Sequence, residues 1–205
     1  MKASKTALFL FVAVGEEEPT YFLLKSFDFD LNELNAIDLY SGSESEFTVT
    51  IHDEYLFCMS KTNENHRIVK VYNSQFEEIE QFGQSEPDLP FYFSSEYDSL
   101  LVNESSFILS NSHGDINVID RRNGTKSFQE EINGALFIYS DEYICSFESD
   151  LCKLSIFNFD FYKLDEFHLD ASLIGTNLPC ILNKQVYFLD QDNASLFLFD
   201  HSSVE

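Results

Sequence analysis

A unit of short strands and tight polar turns recurs along this chain and sharply limits what it can fold into. It is clearest between Tyr55 and Gly83. Tyr55-Leu-Phe-Cys-Met-Ser60 leads through the polar stretch Lys61–His66 into Arg67-Ile-Val-Lys-Val-Tyr-Asn73. Ser74-Gln75 then turns the chain into Phe76-Glu-Glu-Ile-Glu-Gln-Phe-Gly83. Runs rich in β-branched and aromatic residues, separated by polar turns, read as strands. The third run of the unit ends on a large apolar residue followed by Asp or Asn. That pair stands at Phe27-Asp28, Tyr72-Asn73, Ile119-Asp120, Phe157-Asn158 and Phe199-Asp200, in steps of 45, 47, 38 and 42 residues. Asp53-Glu-Tyr-Leu56 also returns as Asp141-Glu-Tyr-Ile144, 88 residues on, or two periods of 44. A period of about 40–45 residues carrying four short strands is the mark of a β-propeller.

The expected fold is therefore all-β, a single propeller domain over residues 1–205 with four to five four-stranded antiparallel blades. The blades fall near residues 5–42, 47–84, 97–131, 134–170 and 178–205. Linkers such as Gln84–Pro90 and Asn177–Pro179 lie between blades, where proline costs no ladder hydrogen bond. The first blade begins on Ala7–Val14, with its innermost strand missing or reduced to the first few residues. The fifth ends on its third strand, Ser195–Phe199. The segments at the two ends do not sum to one blade. Two arrangements follow: an imperfect five-bladed ring that is monomeric, or an incomplete ring completed by another chain, since free strand edges are adhesive. Inner strands, covered on both faces, should be continuously apolar, as Ala7–Val14 and Gly134–Tyr139 are. Outermost strands should mix apolar and charged residues, as Phe76–Phe82 and Tyr162–His168 do.

Composition narrows the function more than the fold. With 36 acidic against 12 basic residues, the chain carries a formal charge of −24. That charge repels a phosphate backbone and an anionic bilayer alike, which sets nucleic acid and membrane surfaces aside as partners. It leaves solubility, or a dedicated basic partner, as its use. The four cysteines, Cys58, Cys145, Cys152 and Cys180, lack CxxC spacing and sit in or beside apolar runs. They read as buried free thiols of a reducing, cytoplasmic compartment; their even number leaves disulfides open. The start of the chain has two readings. Met1–Lys5 is basic, Ala7–Val14 apolar and Ala13-Val-Gly15 small, as in a signal peptide; alternatively Ala7–Val14 is a strand, the reading preferred because the next segment pairs with it. Sequons at Asn103, Asn123 and Asn193 do not decide between the compartments. No apolar run reaches the ~18 residues of a spanning helix.

Asn65-His-Arg-Ile-Val-Lys-Val-Tyr-Asn-Ser-Gln-Phe76, with Ile79 and the closing Phe82-Gly83-Gln84, resembles an NHL repeat, whose blade runs Asn-x-Arg-Ile-x-Val-Phe, a short turn and a last strand ending Phe-Gly. In the third blade Gly114-Asp-Ile116 takes the place of Asn-Arg-Ile. In the fourth only Leu154-Ser-Ile-Phe157 and Glu166-Phe167 keep the frame. The resemblance implies a propeller that binds protein or RNA, or, in a few NHL-like members, an enzyme. The −24 charge departs from the basic face of the RNA-binding members.

Candidate sites are few. His66 and His113 each lie six residues before their blade's apolar-Asx pair, in the loop between the second and third strands, where two histidines are weak candidates for metal ligands. The equivalent positions in the fourth and fifth blades are Leu151 and Asn193, so a third histidine is missing. Asp28-Phe-Asp-Leu-Asn32 starts like a calcium loop but has Glu33 and Leu39 where the loop needs glycine and glutamate. Asp190-Gln-Asp-Asn193 reads as a turn first. There is no nucleophile elbow, phosphate loop or other cofactor motif. Arg67 is the one base placed like a family feature; otherwise it would salt-bridge an acid of its own blade. Asn65, His66, Arg67 and His113 are the candidate partner-binding residues. The expected function is a non-catalytic scaffold that presents a loop face to a protein or peptide, with no cofactor. The competing expectation is a metal-dependent propeller lyase or hydrolase, and the third is a diverged fragment that needs a partner.

Overall fold

The computed structural model describes residues 2–3, 8–14, 21–39, 47–62, 64, 66–111, 113–129, 132–138, 143–169, 180–182, 185–190 and 195–200. These residues form twenty strands in five antiparallel sheets, each built from strands consecutive in sequence. The first sheet joins β1 (Lys2–Ala3), β2 (Leu8–Val14), β3 (Tyr21–Phe27) and β4 (Glu33–Leu39). The second joins β5 (Phe47–His52), β6 (Tyr55–Lys61), β7 (His66–Tyr72) and β8 (Glu78–Phe82), with the two-residue β9 (Phe93–Ser94) added to the start of β7. The third holds β10 (Ser99–Val102), β11 (Ser106–Ser110), β12 (Ile116–Asp120) and β13 (Lys126–Gln129). The fourth holds β14 (Ala135–Ile138), β15 (Tyr143–Glu148), β16 (Lys153–Asn158) and β17 (Lys163–His168). The fifth holds β18 (Cys180–Leu182), β19 (Gln185–Asp190) and β20 (Ser195–Asp200). Among the described residues the only helical piece is a 3-10 turn, Ser149–Leu151.

The apolar-Asx pair is a turn device. In the first sheet the Asp28 carboxylate accepts the N–H groups of Asp30 and Asn32 at 3.0 and 2.8 Å, while Leu31 donates to the Asp28 carbonyl at 3.1 Å. Asn73 Oδ1 accepts from Gln75 and Glu77, both at 3.0 Å, and Phe76 donates to its carbonyl. Asn158 Oδ1 accepts from Asp160 and Tyr162 at 3.1 and 2.9 Å, and Phe161 donates to its carbonyl. The third residue after the Asx is left-handed each time, with φ of 65° at Leu31, 60° at Phe76 and 62° at Phe161. This is a three-residue hairpin loop followed by a bulge. The bulge falls at Leu34, Ile79 and Leu164, which the register skips between Ser26 and Phe27, Val71 and Tyr72, and Ile156 and Phe157. The Asp120 turn is one residue longer and places Gly124 left-handed instead, at φ 72°. A Cβ on Gly124 would come within 2.6 Å of Pro90 Cβ, so the glycine also admits the linker that follows β8.

The chain divides into two compact units, Met1–Asn111 with Asn117–Phe128, and Ser112–Ile116 with Gln129–Glu205. In the first, β6 is packed on both faces, and its alternation sorts the cores. Leu56 and Cys58 meet Leu24, Tyr72 and Phe76 on one side. Phe57 and Met59 join Val69, Val71, Leu100, Val102, Phe107 and Leu109 on the other. Phe107 is the hub, in edge contact with the rings of Phe57, Phe82 and Phe93 at 4.9–6.1 Å. Arg121 covers two of these rings, 5.2 Å from the Phe57 centroid and 5.7 Å from that of Phe107. In the second unit Cys145, Phe147, Leu154 and Ile156 pack with Val186.

Burial peaks on the second and third strands of a sheet rather than on the first. β6 and β11 carry four consecutive buried residues each, while β5 has one and β10 alternates. On β10 only one face, that of Leu100 and Val102, reaches a core. The outermost strands are the exposed ones, as β8 is at every residue but its last.

Candidate functional site

The candidates read from the sequence have separate fates. Asn65 and Asn193 lie outside the described residues. His66 is not in a loop: it is the first residue of β7, buried, with its Nδ1 3.0 Å from Thr62 Oγ1. The strand starts there because β9 pairs with His66 and Arg67. Arg67 is fully buried, and its Nη2 donates to the Ser95 carbonyl at 3.3 Å. Together β9 and Arg67 tie the linker after β8 down onto β7, so this base serves the scaffold and offers no surface to a partner. His113 is exposed in the turn before β12, and Leu151 is exposed in the 3-10 turn. Among the described residues no three His, Cys, Asp or Glu side chains come together as a metal site would need. Asp28 is spent on its turn: hydrogen bonds from the Asn32 side chain and backbone hold its carboxyl below the ordinary carboxylate value. Asp192 lies outside the described residues.

The structure offers a different site, a cleft of about 660 Å³ along one face of the fourth sheet. Strand alternation builds it. On β16 the residues Leu154 and Ile156 enter the core beneath, so Lys153, Ser155 and Phe157 point the other way, into the cleft. Ser146 on β15 pairs in register with Ser155, which pairs with Glu166 on β17. Glu148 closes one end at the 3-10 turn, and Asp160, Phe161 and Tyr162 form the other end at the Asn158 turn. The floor is well buried, with Ser146 at 1% and Ser155 at 3% exposure, whereas Tyr162 at the mouth is 70% exposed.

The ionic groups of the cleft are tied to each other. Lys153 pairs with Glu148 and lies 3.9 Å from Glu166. Lys163 donates to Glu166 Oε2 at 2.8 Å, and Ser155 Oγ reaches the same oxygen at 3.5 Å. The Glu148 hydrogen bond raises the Lys153 pKa, and the Lys163 hydrogen bond lowers that of Glu166. Both therefore stay charged near neutral pH. A lysine that deprotonates Ser155 would need its pKa lowered towards neutrality, and a carboxylic acid that donates a proton would need its pKa raised; these shifts run the other way. What the cleft presents is fixed charges, two small hydroxyl residues in the floor and an aromatic mouth.

The sequence carried a signal for this site. A serine sits in the middle of the apolar runs on both central strands, Cys145-Ser-Phe147 and Leu154-Ser-Ile156. Small polar residues opposite one another on central strands mark a face that is not filled by a core.

No family model matches the chain, and no curated protein does. Solved structures do. BamB from Moraxella catarrhalis superposes with a TM-score of 0.53 at 14% identity over 95% of this chain, which spans 58% of the BamB chain. A virginiamycin B lyase from Staphylococcus aureus gives 0.52 at 9% identity, covering 95% of this chain and 74% of the lyase. A protein of unknown function from Bacteroides caccae gives 0.55 at 10% identity, covering 94% and 78%. The fold is a β-propeller. Identities this low carry the fold and nothing of the activity.

Proposed function

We propose that this chain is a non-catalytic protein-interaction module, an NHL-like propeller whose fourth sheet takes an extended peptide segment. The observation that carries the proposal is the cleft along β15–β17, in which Lys153 pairs with Glu148 and Lys163 with Glu166. Its length follows the six residues of β16, which matches about six residues of an extended chain at ~3.3 Å each. The partly exposed Lys163 and Glu166 in the wall supply hydrogen-bonding partners for a peptide backbone.

The test is a hexapeptide array probed with the full chain and with Glu166→Arg, which reverses the charge shared by Lys153 and Lys163. Saturable binding to a subset of peptides, lost in the variant, is the expected result. Equal binding by both proteins would sink the proposal, as would peptide or ester turnover that disappears in Ser155→Ala. The lyase or hydrolase alternative rests on His66 and His113, and the burial of His66 against Thr62 gives it no support.

A further inference from the structure

We infer that the segment docking in the cleft is basic, with an arginine or lysine side chain seated at the Asp160–Tyr162 end; this rests on the peptide-docking proposal above. The inference comes from which charges in the cleft are already answered. Lys153 is matched by Glu148, and Lys163 by Glu166. Asp160 also lines the cleft; its backbone N–H donates to Asn158, and its exposed carboxylate has no ion-pair partner among the described residues. Two residues further on in the same turn, Tyr162 is the most exposed aromatic ring among the described residues.

A carboxylate and an exposed aromatic ring carried by one turn in the same cleft are groups that can receive a guanidinium or ammonium, through charge and through the ring quadrupole. The left-handed backbone at Phe161 and the Asn158 cap set the backbone turn from which both side chains project. The rest of the molecule points the same way. At a net charge of −24 the chain attracts a cationic segment from a distance and repels an acidic one.

The experiment measures fluorescence anisotropy of three labelled hexapeptides that alternate alanine with arginine, glutamine or glutamate, against the full chain at physiological salt. The expected result is saturable binding of the arginine peptide, at least about tenfold tighter than the other two. Asp160→Asn combined with Tyr162→Ala should weaken it about tenfold. Glu96→Gln removes the same charge from an exposed turn of the other unit and should change it less than about twofold. Equal weakening by Glu96→Gln and by Asp160→Asn would overturn the inference, because the attraction would then be diffuse. Equal binding of the glutamine peptide would overturn the basic occupant while leaving peptide docking standing. Binding of none of the three peptides would overturn both.

Discussion

Replacing Asn158 by alanine isolates the device on which the repeat is built. Its side-chain oxygen accepts two backbone N–H groups, those of Asp160 at 3.1 Å and Tyr162 at 2.9 Å. Alanine removes that acceptor and both bonds, and leaves the backbone free to leave the turn. Each such bond contributes about 0.5–1.5 kcal/mol net, and an exposed turn lies at the low end because water replaces the lost acceptor. The expected cost is therefore about 1–2 kcal/mol, the same size as the loss of a helix N-cap that uses the same chemistry. Asn158→Asp is the control: aspartate fills this position at Asp28 with equivalent bonds, so it should stay within about 0.5 kcal/mol of the parent. Urea unfolding followed by circular dichroism reads both changes as shifts in midpoint at constant slope. If Asn158→Ala stays within about 0.3 kcal/mol of the parent, or the aspartate variant is as unstable as the alanine one, the Asx cap does not hold the turn. The recurring apolar-Asx pair would then need a cause other than turn capping.

The same geometry sets three further outcomes. Leu31 is exposed and left-handed, so Leu31→Gly should stabilise by about 0.5–1 kcal/mol in the same urea titration, and destabilisation would show that its φ is not strained. Phe107→Ala, which empties the hub of the aromatic cluster, should cost about 3–5 kcal/mol, and a loss below about 1 kcal/mol would mean that the cluster is not the core of its unit. Burial raises the Cys145 thiol from 9.0 to about 12 and the Tyr72 phenol from 10.0 to about 12. Both groups bind their protons more tightly when folded, so their contribution is complete below pH 9 and is lost as the pH climbs from 9 towards 12. Cys145 alone should lower stability by about 2 kcal/mol between about pH 8 and 10.5; Cys145→Ala should flatten that slope, and an unchanged slope would refute the assignment.

Much of this fold was legible because its signals are local. Strand positions followed from apolar runs, and the repeat from one apolar-Asx pair whose chemistry turned out to be the turn itself. What escaped the sequence depends on contacts across long separations. The strand β9 and the burial of Arg67 exist only because the linker near Ser95 returns to β7, and no periodicity near residue 93 announces it. The same contact changes the meaning of the NHL-like Asn-His-Arg stretch: its arginine looked like a surface for a partner and is a tie inside the scaffold. The cleft on the fourth sheet was half legible. Ser146 and Ser155 broke their apolar runs in plain view, but that they face each other needs the register of β15 and β16.

The repeat itself shows where function can be carried in this molecule. Lys25 pairs with Glu33, and Lys70 with Glu78, at equivalent positions of the first and second sheets, 2.6 and 2.8 Å apart. Each pair stands three residues before its Asx and five after. In the fourth sheet those positions are Ser155 and Lys163: the lysine has become a small hydroxyl, and the acid has become a lysine. The replacement removes a long side chain from the face and turns the edge-strand charge over to Glu166. The turn geometry and the bulge at Leu164 are kept while the face between them opens. Restoring the pair with Ser155→Lys and Lys163→Glu should therefore fill the cleft with an ion pair like Lys70–Glu78. The restored pair itself should add about 0–1 kcal/mol, while peptide binding should be lost. Retention of binding by that double variant would place the docking surface elsewhere on the molecule.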